Sequence, residues 1–183
     1  MKALVRGKRV AIVGRAGSIV GTGNGPAIDG ADVVIRVNWL LPTAEEHIPD
    51  MGARTDLVYT CRHCATARRL AEEHGVPWVR VNNVRRQRVT NEWVRRPKKV
   101  RVSTGFMAVM DALEERPKQI RLYGFDMQRS EHVQERTPDG HDPSGAFGGD
   151  WHHAWGKERI AWRKLIAKNP LIIPDAIFAE VLK

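Results

Sequence analysis

The sequence predicts an α/β fold in which a mainly parallel sheet carries helices on both faces. Three observations predict it. Short, fully apolar runs recur along the chain, helical stretches separate them, and 183 residues suit a single domain spanning 1–183. Val10-Ala-Ile-Val13 ends at Gly14, as a buried strand opening into a loop does. Val33-Val-Ile-Arg-Val37, Asp56-Leu-Val-Tyr59, Trp78-Val-Arg-Val81, Ile120-Arg-Leu-Tyr123 and Leu171-Ile-Ile173 are the other strand candidates. Helices are expected over 62–73, 104–115, 158–168 and 175–182. In the second, Met107, Met110 and Leu113 share a face and Ser103 is placed to cap the start. In this architecture ligands bind at the carboxyl ends of the strands. Residues 126–155 form a long, polar, glycine-rich stretch without periodicity, more often functional than idle in a compact domain.

Composition narrows the class. With 42% hydrophobic and 28% charged residues the chain is globular rather than disordered or fibrous. No apolar run approaches the ~20 residues of a membrane span, and Met1-Lys-Ala-Leu-Val-Arg-Gly-Lys-Arg9 lacks the apolar core of a secretory signal. Cys61 and Cys64 are the only cysteines, so a disulfide scaffold is excluded and a reducing, cytoplasmic setting is expected. Cys61-Arg-His-Cys64 has no second pair to close a zinc site. It reads as packing cysteines, with a redox pair as the alternative.

The charge is uneven. Residues 80–101 hold nine basic side chains against the single acid Glu92, and so carry nearly all of the formal net charge of +9. Such a concentration suits an anionic partner, whether nucleic acid, an acidic glycan or a membrane surface; the alternative is a solvated, arginine-rich loop. Trp78 and Trp93 flank it, as stacking platforms or as buried anchors.

After the first strand come Gly14, Gly17, Gly21, Gly23 and Gly25, a composition that lets backbone amides approach a phosphate. The spacing differs from the dinucleotide Gly-x-Gly-x-x-Gly, and no Gly-Lys-Ser/Thr follows as in a P-loop. A nucleotide or phosphate loop and a structural turn are both open on this pattern. The surrounding residues are more specific. Gly14-Arg-Ala-Gly-Ser-Ile-Val-Gly-Thr-Gly-Asn-Gly25, Asp29, Val33-Val-Ile-Arg-Val-Asn38 and Gly52-Ala-Arg-Thr-Asp56 together resemble the large motif (about 10–56) of the sialyltransferases, glycosyltransferase family 29. Ser103-Thr-Gly105 and Tyr123-Gly-Phe-Asp126 resemble the family's small motif (about 102–126), and His153-x4-Glu158 its very short motif. Three motifs stand in the family's order.

The resemblance implies a single Rossmann-like doubly wound domain, a GT-A-like variant. It implies inverting transfer from a CMP-sugar to a hydroxyl acceptor, with no metal ion and no cofactor beyond that donor. Carried over, Gly14, Arg15, Gly17, Ser18, Asn38, Ser103, Thr104, Gly105, Gly124 and Phe125 are the donor-binding candidates. His153 is the candidate general base, since a near-neutral imidazole accepts the proton of an attacking hydroxyl. Asp142 and Asp150 are the alternatives. His141 or His152 would assist the leaving phosphate, Glu158 would support the loop or cap a helix, and Trp151 and Trp155 would wall the sugar or pack in the core. Arg15-Ala16 replaces the family's small polar pair, and Val10 stands where animal members carry a cysteine. The short, basic stretch between the large and small motifs points to a rebuilt acceptor side, as in a short bacterial or viral member. An anionic acceptor, including modified DNA, is one expectation from the charge, and a non-catalytic nucleotide-binding module is the other reading.

Overall fold

The computed structural model describes residues 1–38, 45–61, 65–94, 101–127, 129–130 and 155–183. Six parallel strands, β1 (Arg9–Val13), β2 (Val33–Val37), β3 (Leu57–Thr60), β4 (Trp78–Arg80), β5 (Gln119–Tyr123) and β6 (Ile172–Pro174), form one sheet in the order β4-β3-β2-β1-β5-β6. All six lie at the expected positions, β2 at the expected bounds and the others differing by one residue at one or both ends. The helices are α1 (Lys2–Val5), α2 (Gly25–Asp29), α3 (Ile48–Met51), α4 (Ala65–Glu73), α5 (Asn83–Trp93), α6 (Thr104–Glu114), α7 (Trp155–Lys168) and α8 (Ala176–Val181). The expected helix starts at 62–64 lie outside the described residues.

Side-chain alternation along the strands sorts the core into two faces. Ala11, Val13 and Val34 point toward Ile19, Ile28 and Met51, while Val58 meets Ala67 and Ala71 of α4. On the opposite face Val10, Ile12, Ile35, Leu57, Tyr59 and Leu122 pack beneath α5, α6, α7 and α8. The chain winds outward from β1 to β4 with its helices on the first face. It then returns over the second face to β5, on the other side of β1. Keeping one crossover hand while reversing direction requires this change of face, and it makes β1/β5 the topological switch point.

The core of the second face is aromatic. Trp162 of α7 meets Phe106 edge-on at 4.9 Å between ring centroids and Phe178 at 5.2 Å; Phe125, just beyond β5, lies 5.6 Å from Phe178. Such pairs add to the burial of ~150–250 Å² per ring. Side chains therefore connect α6, α7 and α8 directly to the carboxyl end of β5.

Helix α5 is the element that composition conceals. Its sequence, Asn-Val-Arg-Arg-Gln-Arg-Val-Thr-Asn-Glu-Trp, shows no apolar stripe, so the hydrophobic pattern predicts no helix there. Asn82 caps it by accepting the Arg85 amide at 3.1 Å. Its inward face consists of Val89 together with Arg86 and Thr90, two polar residues that bond the segment leading into α6. Arg86 Nε donates to the Val102 carbonyl at 2.7 Å, and the Val102 amide donates to Thr90 Oγ1 at 3.1 Å.

Several polar residues of the glycine-rich N-terminal region hold the fold rather than a ligand. Arg36 is wholly buried within β2. Its Nε reaches the Arg54 carbonyl and Thr55 Oγ1 at 3.0 and 2.8 Å, and one terminal nitrogen reaches the carbonyls of Met51 and Gly52 at 3.0 and 2.9 Å. Asp29 accepts the amides of Ala53 and Arg54 at 2.8 and 2.9 Å, and Arg54 pairs with Asp56 at 2.8 Å. These bonds fix the α3–β3 turn against β2. Replacing Arg36 with Met would strand several buried carbonyls at once. Arg36→Met is expected to lower stability by about 3–5 kcal/mol, read as a lower urea midpoint at unchanged slope.

Candidate active site

The site grows from the switch point. Gly14 ends β1 and Gly124 ends β5, and the two backbones touch. The Gly14 amide donates to the Tyr123 carbonyl at 2.8 Å and the Ala16 amide to the Gly124 carbonyl at 3.1 Å. A Cβ on Gly14 would lie 2.3 Å from the Gly124 oxygen, so only glycine fits there. Gly124 takes φ +68°, and its amide meets Asp175 Oδ2 at 3.2 Å, which anchors the turn to the start of α8.

Phe125 then turns its ring onto Gly105 in the first turn of α6, where a Cβ would lie 2.3 Å from the ring edge. The absence of a side chain at Gly105 therefore brings the N-terminus of α6 against the β1–β5 crest. Ser103 caps that helix by accepting the Phe106 amide at 3.1 Å, and its own amide donates to Glu158 Oε2 at 2.9 Å. With both Ser103 groups engaged, the amides of Thr104 and Gly105 are the ones without an intrahelical acceptor, at the positive end of the helix dipole.

The glycine loop divides into two parts. The amides of Gly21 and Gly23 both donate to Asp50 at 2.7 Å and hold its carboxyl below the usual range. A Cβ on Gly25 would collide with the backbone of Ile48 and Pro49. That half is a structural turn. The first half, residues 14–18, faces the crest. The Ser18 amide donates to Ser130 Oγ at 3.0 Å, and Ser130 is fastened to Asp126, whose Oδ2 accepts its amide at 2.9 Å. The Ser18 hydroxyl is buried with no hydrogen-bond partner among the described residues. Arg15, in the same segment, is half-buried. Asn38, at the end of β2 with φ +63°, accepts the Cys61 amide on Oδ1 at 3.0 Å and so ties the ends of β2 and β3. Thus Gly14, Gly17, Ser18, Thr104, Gly105, Gly124 and Phe125 gather around the switch point, and Asn38 stands farther along the same carboxyl edge.

Glu158 lies in the first turns of α7 and is 1% exposed. Burial pushes its carboxyl up to about 7, against the opposing pull of the Ser103 contact and of nearby Arg86. It reaches across 55 residues of sequence to the start of α6, a contact no local pattern announces. His141, His152 and His153, with Asp142, Asp150 and Trp151, lie outside the described residues. Trp155 is half-buried at the start of α7.

The basic stretch is not one solvated surface. Arg85 pairs with Asp111 at 2.6 Å and with Glu114 at 2.5 Å, and Asp111 also accepts the Tyr59 hydroxyl at 2.5 Å. Arg86 is buried, and burial lowers its pKa. Arg80 and Arg88 are exposed. The remaining basic residues at 95–99 lie outside the described set. Trp78 is half-buried, its indole donating to Glu72 at 3.1 Å, and Trp93 packs edge-on against Phe106 at 5.9 Å; both serve as anchors. Cys61 is buried at the end of β3, and Cys64 lies outside the described residues.

The raised pKa of Glu158 has a definite sign. Between its unfolded value near 4.5 and its folded value near 7 the native state holds the extra proton, so stability falls as pH rises through that window. Glu158→Gln removes this titration while an amide oxygen still accepts the Ser103 N–H. The stability of the variant relative to the parent is therefore expected to rise by ~3 kcal/mol between pH 4.5 and 7.5, measured by urea unfolding at several pH values.

Comparison with known proteins agrees with this geometry. Residues 5–86 match the family profile of glycosyltransferase family 29 (sialyltransferase). No curated protein matches the sequence. Among solved structures, a mammalian sialyltransferase in complex with Gal-β-1,3-GalNAc-ortho-nitrophenol aligns at TM-score 0.61 and 22% identity, over 94% of this chain and 71% of its own. A second mammalian sialyltransferase structure aligns at TM-score 0.60 and 22% identity, over 94% and 70%. The profile covers β1 to β4 and the glycine loop, and the shared fold extends over nearly the whole chain, β5 and β6 included. Residues 5–86 accordingly carry the pattern of glycosyltransferase family 29, on a fold shared with the mammalian sialyltransferases.

Proposed function

We propose that the protein transfers a sugar from a CMP-sugar to a hydroxyl of a glycan acceptor with inversion at the anomeric carbon. It needs neither a metal ion nor a cofactor besides the donor, and it works in a reducing, cytoplasmic setting. One observation carries the donor reading: Gly105 lets the N-terminus of α6 close on the β1–β5 crest, the same strand ends from which the loop with the unpartnered Ser18 hydroxyl departs. Two amides at a helix N-terminus and one buried hydroxyl make a donor set suited to a phosphate monoanion. The same groups gain strength as charge builds on the leaving phosphate, which is where a transferase needs them.

In the reaction the acceptor oxygen attacks the anomeric carbon from the face opposite the phosphate. The bond from that carbon to the phosphate oxygen breaks and its electron pair leaves with CMP. His153 takes the acceptor proton, and His141 or His152 supplies a positive partner for the departing phosphate. Glu158 is a positioning residue: its carboxylate fixes the Ser103 amide and with it the direction of the α6 terminus.

Two experiments test this. CMP at a hundredfold excess over Kd adds ~2.7 kcal/mol, so it is expected to raise Tm by roughly 5–10 °C in a chain of this size. UMP, GDP and NAD should leave Tm unchanged; stabilisation by NAD instead would overturn the donor assignment. His153→Ala is expected to keep the CMP shift and to lower transfer by roughly 10²–10⁴-fold, while a chelator changes neither. Full activity in that variant removes His153 as the base. Absence of transfer from every CMP-sugar in the parent, with CMP binding intact, favours the non-catalytic module.

A further inference from the structure

Away from the switch point, a groove of about 450 Å³ runs between the end of α5 and the outer face of α7. Trp93 and Val94 form one wall; Lys157, Ile160, Lys164 and Lys168 form the other. The three lysines recur at intervals of seven and four, which places them on one helical face. All three are exposed, and no ion pair among the described residues engages any of them. Glu92 is the one carboxylate in the lining. The apolar part includes Ile160, 48% exposed, and Trp93, over whose ring the Lys168 ammonium lies 5.8 Å from the centroid.

The groove has a direction. Lys157 is adjacent in sequence to Glu158, whose carboxylate holds the start of α6. Lys168 lies eleven residues farther along the helix, ~17 Å away. The groove thus runs along α7 from the turn that holds the start of α6 toward the far end of the helix.

We propose that this groove is an acceptor subsite for a carboxylate-bearing glycan. The lysines take the acidic groups of successive sugars, while the exposed Ile160 meets the apolar C–H faces of the rings. The proposal rests on the glycosyltransferase reading and gives it a class of acceptor. A glycan fits the lining better than a nucleic acid does. Single strands are held by exposed aromatic faces on which bases stack, whereas Trp93 is backed by Phe106 and covered by Lys168. Lysines act as point charges suited to carboxylates spaced along a flexible chain, without the bidentate geometry of arginine.

The test uses the whole chain, a fluorescently labelled hexagalacturonate, a labelled neutral maltohexaose and a labelled 12-nucleotide single-stranded DNA, followed by fluorescence polarisation. Hexagalacturonate should bind, more weakly as salt rises, and maltohexaose should not. The double variant Lys164→Gln/Lys168→Gln changes only exposed side chains, so it should fold like the parent and bind hexagalacturonate about tenfold more weakly. Its thermal shift with CMP should be unchanged. No binding of hexagalacturonate, equal affinity in the double variant, or tighter binding of the DNA each overturns the proposal. Intact hexagalacturonate binding without any CMP shift would instead remove the donor assignment and leave the groove standing.

Discussion

Everything in the candidate site depends on the close approach of three backbones, at Gly14, Gly124 and Gly105. Neither Gly14 nor Gly105 tolerates a Cβ, for different reasons. The obstacle at Gly14 is a carbonyl of the neighbouring strand, which cannot move without parting β1 from β5. At Gly105 it is the Phe125 ring, itself wedged among Trp162 and Phe178. A packed aromatic core yields little, so the helix terminus is held where the core puts it. The position of the amides at the start of α6 is thus set by hydrophobic packing on one face of the sheet, and Ser103 and Glu158 refine it with directed bonds.

Most of the conspicuous residues in the glycine-rich region are occupied by the fold. Asp29, Arg36, Asp50, Arg54 and Asp56 bind backbone groups or each other, and together they fasten α2, α3 and the start of β3 beneath the loop. Their arrangement explains why the loop after β1 tolerates so many glycines. The carboxylate of Asp50 replaces the order that a rigid sequence would otherwise supply by gathering the amides of Gly21 and Gly23. What remains for a ligand is the short segment from Gly14 to Ser18, held still on both sides.

How much of this could be read from the sequence follows from where the determining interactions lie. The strands were legible because a parallel strand buried on both faces must be apolar throughout, and Val10-Ala-Ile-Val13 or Val33-Val-Ile-Arg-Val37 has few other uses. Even Arg36 did not disguise β2, since its neighbours are all apolar. Helix α5 was illegible because its inward face is partly polar: Arg86 and Thr90 are buried through bonds to Val102, and periodicity in hydrophobicity cannot register that. The short helices α2 and α3 were hidden among the glycines and prolines that flank them. In the site, the glycines and the helix cap were visible as local patterns. The pairings of Glu158 with Ser103 and of Ser130 with Ser18 span 55 and 112 residues, and only the assembled fold reveals them.

The same reasoning bears on the charge. A basic run in sequence suggests a single electrostatic patch, but the helix that forms there distributes its side chains around an axis. Arg85 turns to Asp111 and Glu114, Arg86 turns into the core, and Arg88 turns to solvent. Two of these cations are thereby consumed by α6 and the segment before it, which fixes the start of α6 but weakens any field attributed to the run. The unpaired lysines of α7 belong to a helix that holds five basic residues against one acid, Glu158. They face the end of α5 across a groove with one carboxylate in its lining. Where an anion would be attracted is therefore decided by which cations the fold leaves unpaired, and among the described residues Lys157, Lys164 and Lys168 gather three of them on one face of α7, beginning one residue from the Glu158 carboxyl that holds the start of α6.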